Sequence, residues 1–424
     1  MGVGSQLIAA SDVRLTLLWM EIVFLRHGES TGNASGLVQG RGSTPLSSRG
    51  RAQADAVGRR LRKAKPFDLF VSSDMERALE TARAVGVPFE TDSVWREMDL
   101  GEWEGLPFAE VAQRFPDDLV ALQRGDPVRI GRTGESMSEF TTRVATAMDG
   151  LVERMGGSGR ALVSAHGGVI ERAVAIALGI RGSVAFAGRV TNTSLTTIST
   201  RGDARRVGRY NDATHLGALS GWAAERLASG HTVVALIRHG RTEANDVGVW
   251  QGHSDGNLDE EGRRQAENLA RWYGGFDVLY ASPLGRAVQT AEPLGAASIV
   301  HDLKELGMGE WEGRTRDEIM AGWPELWETI YERNEDVPRG GNGETWSGMV
   351  ARVARAVEGI AKEHPGRLIG VVSHGAAIRG LCSSVVGLDH GARRGLAPPN
   401  NASVSHIVYD EHGPVLADYN VGPL

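Results

Sequence analysis

The stretch EIVFLRHGESTGN, residues 21–33, is a short apolar β-type run that ends in Arg26-His27-Gly28 and turns polar, and it recurs as TVVALIRHGRTEAN at 232–245. Four further segments recur in the same order. QGRGSTPLSSRGRAQA is matched by QGHSDGNLDEEGRRQA, FDLFVSSDMERALETA by FDVLYASPLGRAVQTA, REMDLGEWEG by KELGMGEWEG, and ALVSAHGGVIERA by IGVVSHGAAIRGL. A sixth pair, GES(x)6RV at 134–144 and GET(x)6RV at 343–353, completes the series. Six ordered matches mean two tandem copies of one domain. The expected division is an N-terminal extension over 1–20, a first domain over 21–216, a Gly/Ala/Ser-rich linker over 217–231 and a second domain over 232–424.

Within each copy, runs such as IVFL, LFVSS and ALVSA read as buried strands alternating with longer amphipathic stretches such as GRAQADAVGRRLRKA. That alternation predicts an α/β fold of three layers, α/β/α, around a mainly parallel sheet. Ligands bind such sheets outside the carboxyl ends of the strands. Arg26-His27-Gly28, Ser72-Ser73 with Arg77, and His166-Gly167-Gly168 all fall there.

The whole chain has 424 residues, 41% hydrophobic and 23% charged, an ordinary globular balance that excludes a fibrous or largely disordered protein. Its net charge of −7 argues against general nucleic-acid binding. The first 216 residues hold 27 Lys and Arg against 25 Asp and Glu, which leaves 19 against 28 for the rest. Residues 1–20 lack the pattern of a signal peptide, and no apolar run reaches the roughly 20 residues of a membrane span. Residues 1–19 read as an extension or a misassigned start before Met20. One cysteine, Cys382, leaves no disulfide, reads as a small buried hydrophobe, and makes a reducing bacterial cytoplasm the expected setting. The histidines outside the repeats form no metal-ligand spacing. Of these, His253, two residues after Gln251, is placed to edge the second site.

The polar residues kept in both copies suit phosphoryl transfer. A neutral imidazole is a competent nucleophile at pH 7 when its other nitrogen is held by an acceptor, and His27 and His239 are the candidates, with a backbone carbonyl as acceptor. Guanidinium groups clamp phosphoryl oxygens bidentately, which assigns Arg26 with Arg77, and Arg238 with Arg286. A second imidazole, His166 or His374, is expected to stay protonated beside the phosphate and precedes a helix whose amides add to the anion site. The leaving alkoxide needs a proton, which Glu97 or Glu305 supplies if desolvation and the phosphate raise its pKa.

RHGES and RHGRT, with SSDMERALETA, SPLGRAVQTA and the AHG and SHG motifs, resemble the histidine phosphatase (phosphoglycerate mutase-like) superfamily, over nearly all of 21–424 and twice over. The resemblance implies a Rossmann-like sheet, a phosphohistidine intermediate, and no metal or other cofactor. It picks Glu97 and Glu305 as proton donors among the three Glu residues of each GEWEG segment, leaving Glu102, Glu104, Glu310 and Glu312 to structural or solvated roles. It adds Asn33, Asn245, Ser30 and Thr242 as phosphate contacts, and Gln39, Gly40, Gln251 and Gly252 as substrate contacts.

Three functional classes follow. A metal-independent phosphatase on a small phosphorylated metabolite, with two active sites, is preferred. A mutase of the phosphoglycerate kind would carry NERHYG and HGNSLR, where this chain has REMDLG and HGGVIE, then KELGMG and HGAAIR. Its insertion between Glu and second His would also be longer. The third class makes one copy a regulatory or binding domain, but both copies keep two Arg, two His and one Glu. The GES/GET(x)6R motif resembles the broad-specificity, α-ribazole and glucosyl-phosphoglycerate phosphatases. Ahead of it the second copy is richer in aromatic and acidic residues (Trp323, Trp327, Glu328, Tyr331, Glu332), which line a pocket or pack a helix face on the core. The tandem pair is expected to mimic a homodimer within one chain, with no nucleic-acid or membrane partner.

Overall fold

Each β-type run of the sequence becomes a strand in the computed structural model, which describes residues 19–180, 187–219, 221–388 and 395–422. The first copy forms β1 (Met20–Arg26), β2 (Leu69–Ser72), β3 (Glu90–Thr91), β4 (Arg160–Ala165), β5 (Leu195–Arg201) and β6 (Ala204–Asp212). The second forms β7 (Thr232–Arg238), β8 (Val278–Ala281), β9 (Ser298–Ile299), β10 (Leu368–Ser373), β11 (Gly395–Leu396), β12 (Val404–Asp410) and β13 (Gly413–Val421). Strands β3, β2, β4 and β1 are parallel, as buried aliphatic strands joined by helical crossovers must be. The last two strands depart from the expected pattern. Between β5 and β6 only Gly202 and Asp203 intervene, with Gly202 at φ 55°, so this pair closes as an antiparallel hairpin on β1.

The two sheets join. The strand order is β3-β2-β4-β1-β5-β6-β13-β12-β7-β10-β8-β9, so the hairpin of each copy meets that of the other through Tyr210 and Tyr419. Both rings are buried, and their hydroxyls donate to the carbonyls of Gly188 (2.9 Å) and Ala397 (2.5 Å). Beside them Asn211 and Asn420 hold left-handed backbone at φ 56° and 57°, which Asn tolerates better than most residues. Each side-chain amide donates into the other copy, Asn211 to Ala417 O at 2.8 Å and Asn420 to Gly208 O at 2.7 Å. Buried residues of both copies share one core cluster, Val207 and Tyr210 lying with Leu416 and Tyr419. The two domains thus share one continuous sheet and part of one core.

The expected linker 217–231 is structured. It contains a helix, Gly221–Ala228, whose Ala223 is buried in a cluster with Val233, Val408 and Ala417 of the second domain. Its Gly/Ala/Ser content read as a linker, but Trp222, Ala223 and Leu227 fall at helical spacing and pack. Of the expected extension, residues 1–18 lie outside the described residues, and β1 begins at Met20, fully buried. Among the described residues no helix is long and apolar enough to cross a membrane.

Candidate active site

Strand β1 ends at Arg26, so His27 emerges at the carboxyl edge of the sheet with its main-chain amide bonded to Ala165 O of β4 (3.0 Å). Gly28 is required there by packing, since a Cβ would stand 2.5 Å from Gly50 O, and Gly240 meets Gly262 O at the same distance. The imidazole Nδ1 of His27 lies 2.7 Å from Gly28 O, and that of His239 lies 2.8 Å from Gly240 O. A carbonyl only accepts, so Nδ1 carries the proton and Nε2 presents its lone pair. Arg77 Nε donates to that lone pair at 3.2 Å. Burial first, and then the charges of Arg77 and Arg26, hold His27 well below the ordinary imidazole range, and burial with Arg238 and Arg286 does the same to His239. Both imidazoles are therefore held in the neutral form.

The guanidinium groups are aimed by carbonyls. Arg77 donates to Gly40 O and Gly42 O, each at 2.8 Å, and Arg286 to Gly252 O and Ser254 O, each at 2.9 Å. Arg26 donates to Val190 O and Arg238 to Pro399 O, the latter at 2.5 Å. Burial pulls Arg26 down to about 10, still cationic at neutral pH. Gly40 and Gly252, expected as substrate contacts, have a packing reason as well. A Cβ on either would meet the carboxylate of Glu104 or Glu312 within 2.0 and 2.3 Å.

His166 and His374 cap helices Gly167–Leu178 and Gly375–Val385, and their rings lie 5.1 and 5.2 Å from those of His27 and His239. Their Nε2 atoms meet Ser73 Oγ (2.9 Å) and Ser282 Oγ (2.7 Å). The expected protonation of these two belongs to the phosphate-bound site. Burial dominates and nearby cations reinforce it, so both are held well below 6.5; a phosphate dianion among the same groups would oppose that effect. Glu97 accepts from the amides of Gly168 (3.0 Å) and Met98 (2.9 Å), and Glu305 from Ala376 (3.0 Å), Ala377 (3.0 Å) and Leu306 (2.8 Å). Each carboxylate thus sits at the N-terminus of the second histidine's helix.

The GES/GET(x)6R motif holds that carboxylate in place. Arg143 pairs with Glu135 (2.8 Å) and donates to the carbonyls of Val94, Arg96 and Glu97. Arg352 repeats this with Glu344 and the carbonyls of Asp302, Lys304 and Glu305. Arg143→Ala should lower kcat of the first site about 10²-fold, because small misplacements of a reacting group cost that much. In a His239→Ala background, an unchanged kcat would sink this role. Glu104 and Glu312 also prove structural, binding main-chain amides of the Gly40 and Gly252 loops, whereas Glu102 and Glu310 are exposed.

Ser30, Asn33 and Gln39 lie together and bind one another. Ser30 caps the short helix Thr31–Ala34 in a capping box with Asn33, and its hydroxyl meets the Gln39 amide at 2.8 Å. Thr242, Asn245 and Gln251 repeat the arrangement. Asn192 and Asn401 escaped the sequence reading. Their amides donate to the carbonyls of His27 (3.0 Å) and His239 (3.1 Å), and the recurrence of TNTSL as NNASV was the available signal. The aromatic residues of the second copy pack: Trp311 is fully buried, with Trp250, Trp323, Trp327 and Tyr331 around it. His253 lies behind the acid, its Nε2 2.9 Å from Glu305 O. Cys382 is buried, as expected, and burial pushes its thiol up.

Comparison with known proteins matches this geometry to a family. The model of the histidine phosphatase superfamily (branch 1) matches residues 22–213 and again 234–422. Phosphoglycerate mutase-like protein 4 of Arabidopsis thaliana is 32% identical over 205 residues, 47% of this chain and 87% of that protein. Phosphoserine phosphatase 1 of Hydrogenobacter thermophilus is 32% identical over 193 residues, 44% and 90% of the two chains. Glucosyl-3-phosphoglycerate phosphatase of Mycolicibacterium vanbaalenii is 38% identical over 169 residues, 38% and 74%. Among solved structures, phosphoserine phosphatase of Entamoeba histolytica aligns at 27% identity with a TM-score of 0.42, covering 45% of this chain and 96% of that one. The chain belongs to the histidine phosphatase superfamily, with one domain of the family in residues 22–213 and another in 234–422.

Proposed function

We propose that the chain hydrolyses small phosphomonoesters through a phosphohistidine, with a working site in each domain. Nε2 of His27 attacks phosphorus, forming the P–N bond as the ester P–O bond breaks, and Glu97, entering protonated, gives its proton to the leaving alkoxide. Water then attacks the phosphohistidine while Glu97 takes a proton from it, the P–N bond breaks, and inorganic phosphate leaves. Arg26, Arg77 and His166 hold the non-bridging oxygens throughout. His239, Glu305, Arg238, Arg286 and His374 act in the same way in the second domain. The observation that supports this reading is the fixed tautomer: in both copies the next residue's carbonyl holds Nδ1–H and leaves Nε2 unprotonated.

The phosphatase reading is favoured over a mutase because the stretch from acid to second histidine holds only short helices, Phe108–Arg114 and Pro116–Arg124 in the first domain, before the Met137–Arg154 helix. The test is a panel of phosphomonoesters assayed with EDTA, including the phosphoserine and glucosyl-3-phosphoglycerate for which two relatives are named. Turnover with EDTA present, together with an acid-labile, base-stable phosphoenzyme, is expected. Strict dependence on an added metal, or a phosphoenzyme that survives acid, would overturn the mechanism.

A further inference from the structure

The helix Gly221–Ala228 is seated on the second domain, where Ala223 is buried with Val233, Val408 and Ala417 and Trp222 packs against the same cluster. On its other side it meets the first domain, at the loop 188–192. The indole of Trp222 lies so close to Gly188 that a Cβ there would stand 2.4 Å from the six-membered ring. Gly221 likewise touches Thr191, since a Cβ on it would stand 1.9 Å from the threonine hydroxyl. Glu225 pairs with Arg189 at 2.8 Å, an exposed contact of small energetic weight.

That loop is part of the first site. The carbonyl of Val190 accepts from the Arg26 guanidinium, and the Asn192 amide donates to His27 O at 3.0 Å. The loop forms neither helix nor strand, so its place is set by what holds it from outside. From the first domain, Tyr210 donates its hydroxyl to Gly188 O at 2.9 Å, and Asn211 Oδ1 accepts from the Thr191 amide at 2.6 Å. From the second domain, Leu416 O accepts from the Gly188 amide at 2.7 Å, and the Trp222 ring closes over the same glycine.

The second site has the same loop without the ring. At 397–401, Pro399 O accepts from Arg238 and the Asn401 amide donates to His239 O. The hydrogen bonds that fasten it also recur, Ala397 N to Val207 O at 2.9 Å and Asn400 N to Asn420 Oδ1 at 2.7 Å. Among the described residues, however, no helix lies on this loop. A polar cavity of about 270 Å³ stands there instead, reaching from Ala397 and Asn400 to Glu21, Ser199 and Gly208. Those last three correspond to Val233, Val408 and Ala417, so the first domain lacks the apolar face on which the helix is seated. The residue beneath the ring differs to match: Gly188 leaves room for an indole, and its counterpart is Ala397.

We propose that Trp222 is a positioning residue of the first site. Seated on the second domain, it presses on the loop 188–192 and, through Val190 O, aims Arg26 at the phosphoryl group. A rigid indole does this at low entropic cost. The first site therefore depends on the helix that joins the domains, and the second does not. The role rests on the reading of Arg26 as a phosphate clamp.

The test titrates inorganic phosphate calorimetrically into the full chain and measures p-nitrophenyl phosphate turnover in two backgrounds. Arg238→Ala with His239→Ala leaves the first site alone, and Arg26→Ala with His27→Ala leaves the second. In the first background Trp222→Ala is expected to raise Kd for phosphate and KM about tenfold, the scale of one charge-assisted hydrogen bond. The clamp holds the phosphoryl group in ground and transition states alike, so kcat should change less than about threefold. Trp222→Phe should keep most of the affinity. In the second background Trp222→Ala should leave Kd and KM within about twofold, as for distant, independent sites. A merely structural role predicts the reverse, because the ring is seated on the second domain. Gly188→Ala drives a methyl against the indole, so it should also weaken phosphate at the first site, and should add no further loss in the Trp222→Ala chain. An unchanged first-site Kd, or an equal loss in both backgrounds, overturns the role and leaves the phosphatase reading standing. If Trp222→Ala does not fold, Gly188→Ala decides alone, and a first-site Kd equal to that of the parent overturns the role. Phosphate binding that weakens as expected in a chain that hydrolyses no phosphomonoester sustains the role and sinks the phosphatase reading instead.

Discussion

The double variant His27→Ala with His239→Ala is expected to lose phosphomonoester hydrolysis by about 10⁴-fold or more, while each single variant keeps the turnover of the untouched site. Nothing else in either site offers a nucleophile with the same geometry. Each nucleophilic ring is fixed by the neighbouring carbonyl at 2.7 or 2.8 Å and faces a second imidazole 5.1 or 5.2 Å away. Removing it deletes the covalent intermediate, so the loss falls on kcat as well as kcat/KM. Each single variant should be assayed on every substrate the whole chain hydrolyses, because the domains differ in charge near the sites: five residues after the second histidine the first has Glu171 and the second Arg379. A substrate that only one single variant hydrolyses assigns that substrate to the surviving site. If one variant loses all activity on every substrate and the other none, the two-site reading is wrong and one domain is a binding module.

Asp212→Asn is expected to destabilise the first domain by about 3–5 kcal/mol, because breaking a buried ion pair strands the remaining charge. Asp212 is fully buried and Arg60 is 5% exposed, and the two meet in a fork at 2.6 and 2.9 Å. Arg209 adds a contact at 2.7 Å, and Thr214 donates its amide (3.1 Å) and hydroxyl (2.8 Å). Burial opposes the charge, but Arg60, Arg209 and Thr214 prevail and pull the carboxyl down to about 2. The sign follows from that direction. A folded-state pKa below the unfolded value of about 3.8 means this contribution is complete above about pH 4 and is lost as pH falls through about 2. The second domain has Trp272 and Val421 at the corresponding positions and no such pair. Urea titration of the first-domain transition should show the loss, and a change below about 1 kcal/mol would refute it. The first site should weaken too. His215, beside Arg60, meets Thr193 Oγ1 at 2.9 Å, and the Thr193 amide supports the carbonyls of Arg26 and His27.

The catalytic set was legible in the sequence because its chemistry demands particular residue types, and because duplication displays them twice. Scaffold packing keeps apolar positions, but it has no reason to keep His27 with His239, Arg77 with Arg286, or Glu97 with Glu305. The α/β class was legible for a similar reason, since buried parallel strands leave continuous aliphatic runs. The protonation of His166 and His374 was not legible, because it depends on how completely the fold buries them and on the charge of a bound phosphate. That the linker holds the Gly221–Ala228 helix was not legible, because composition does not record which residues find a partner.

By itself, then, the sequence determined two domains, their α/β class and the ten residues of the paired candidate sets, all of which follow from local pattern and residue type. Only the tertiary structure decided how the copies meet, through Tyr210 and Tyr419 into one sheet. It also decided which loops Asn192 and Asn401 steady, and that Asn211 of one domain and Asn420 of the other donate across the joint. The reason is that such contacts join residues far apart in the chain, and a sequence pattern carries no record of the distance between them until the sheet has closed.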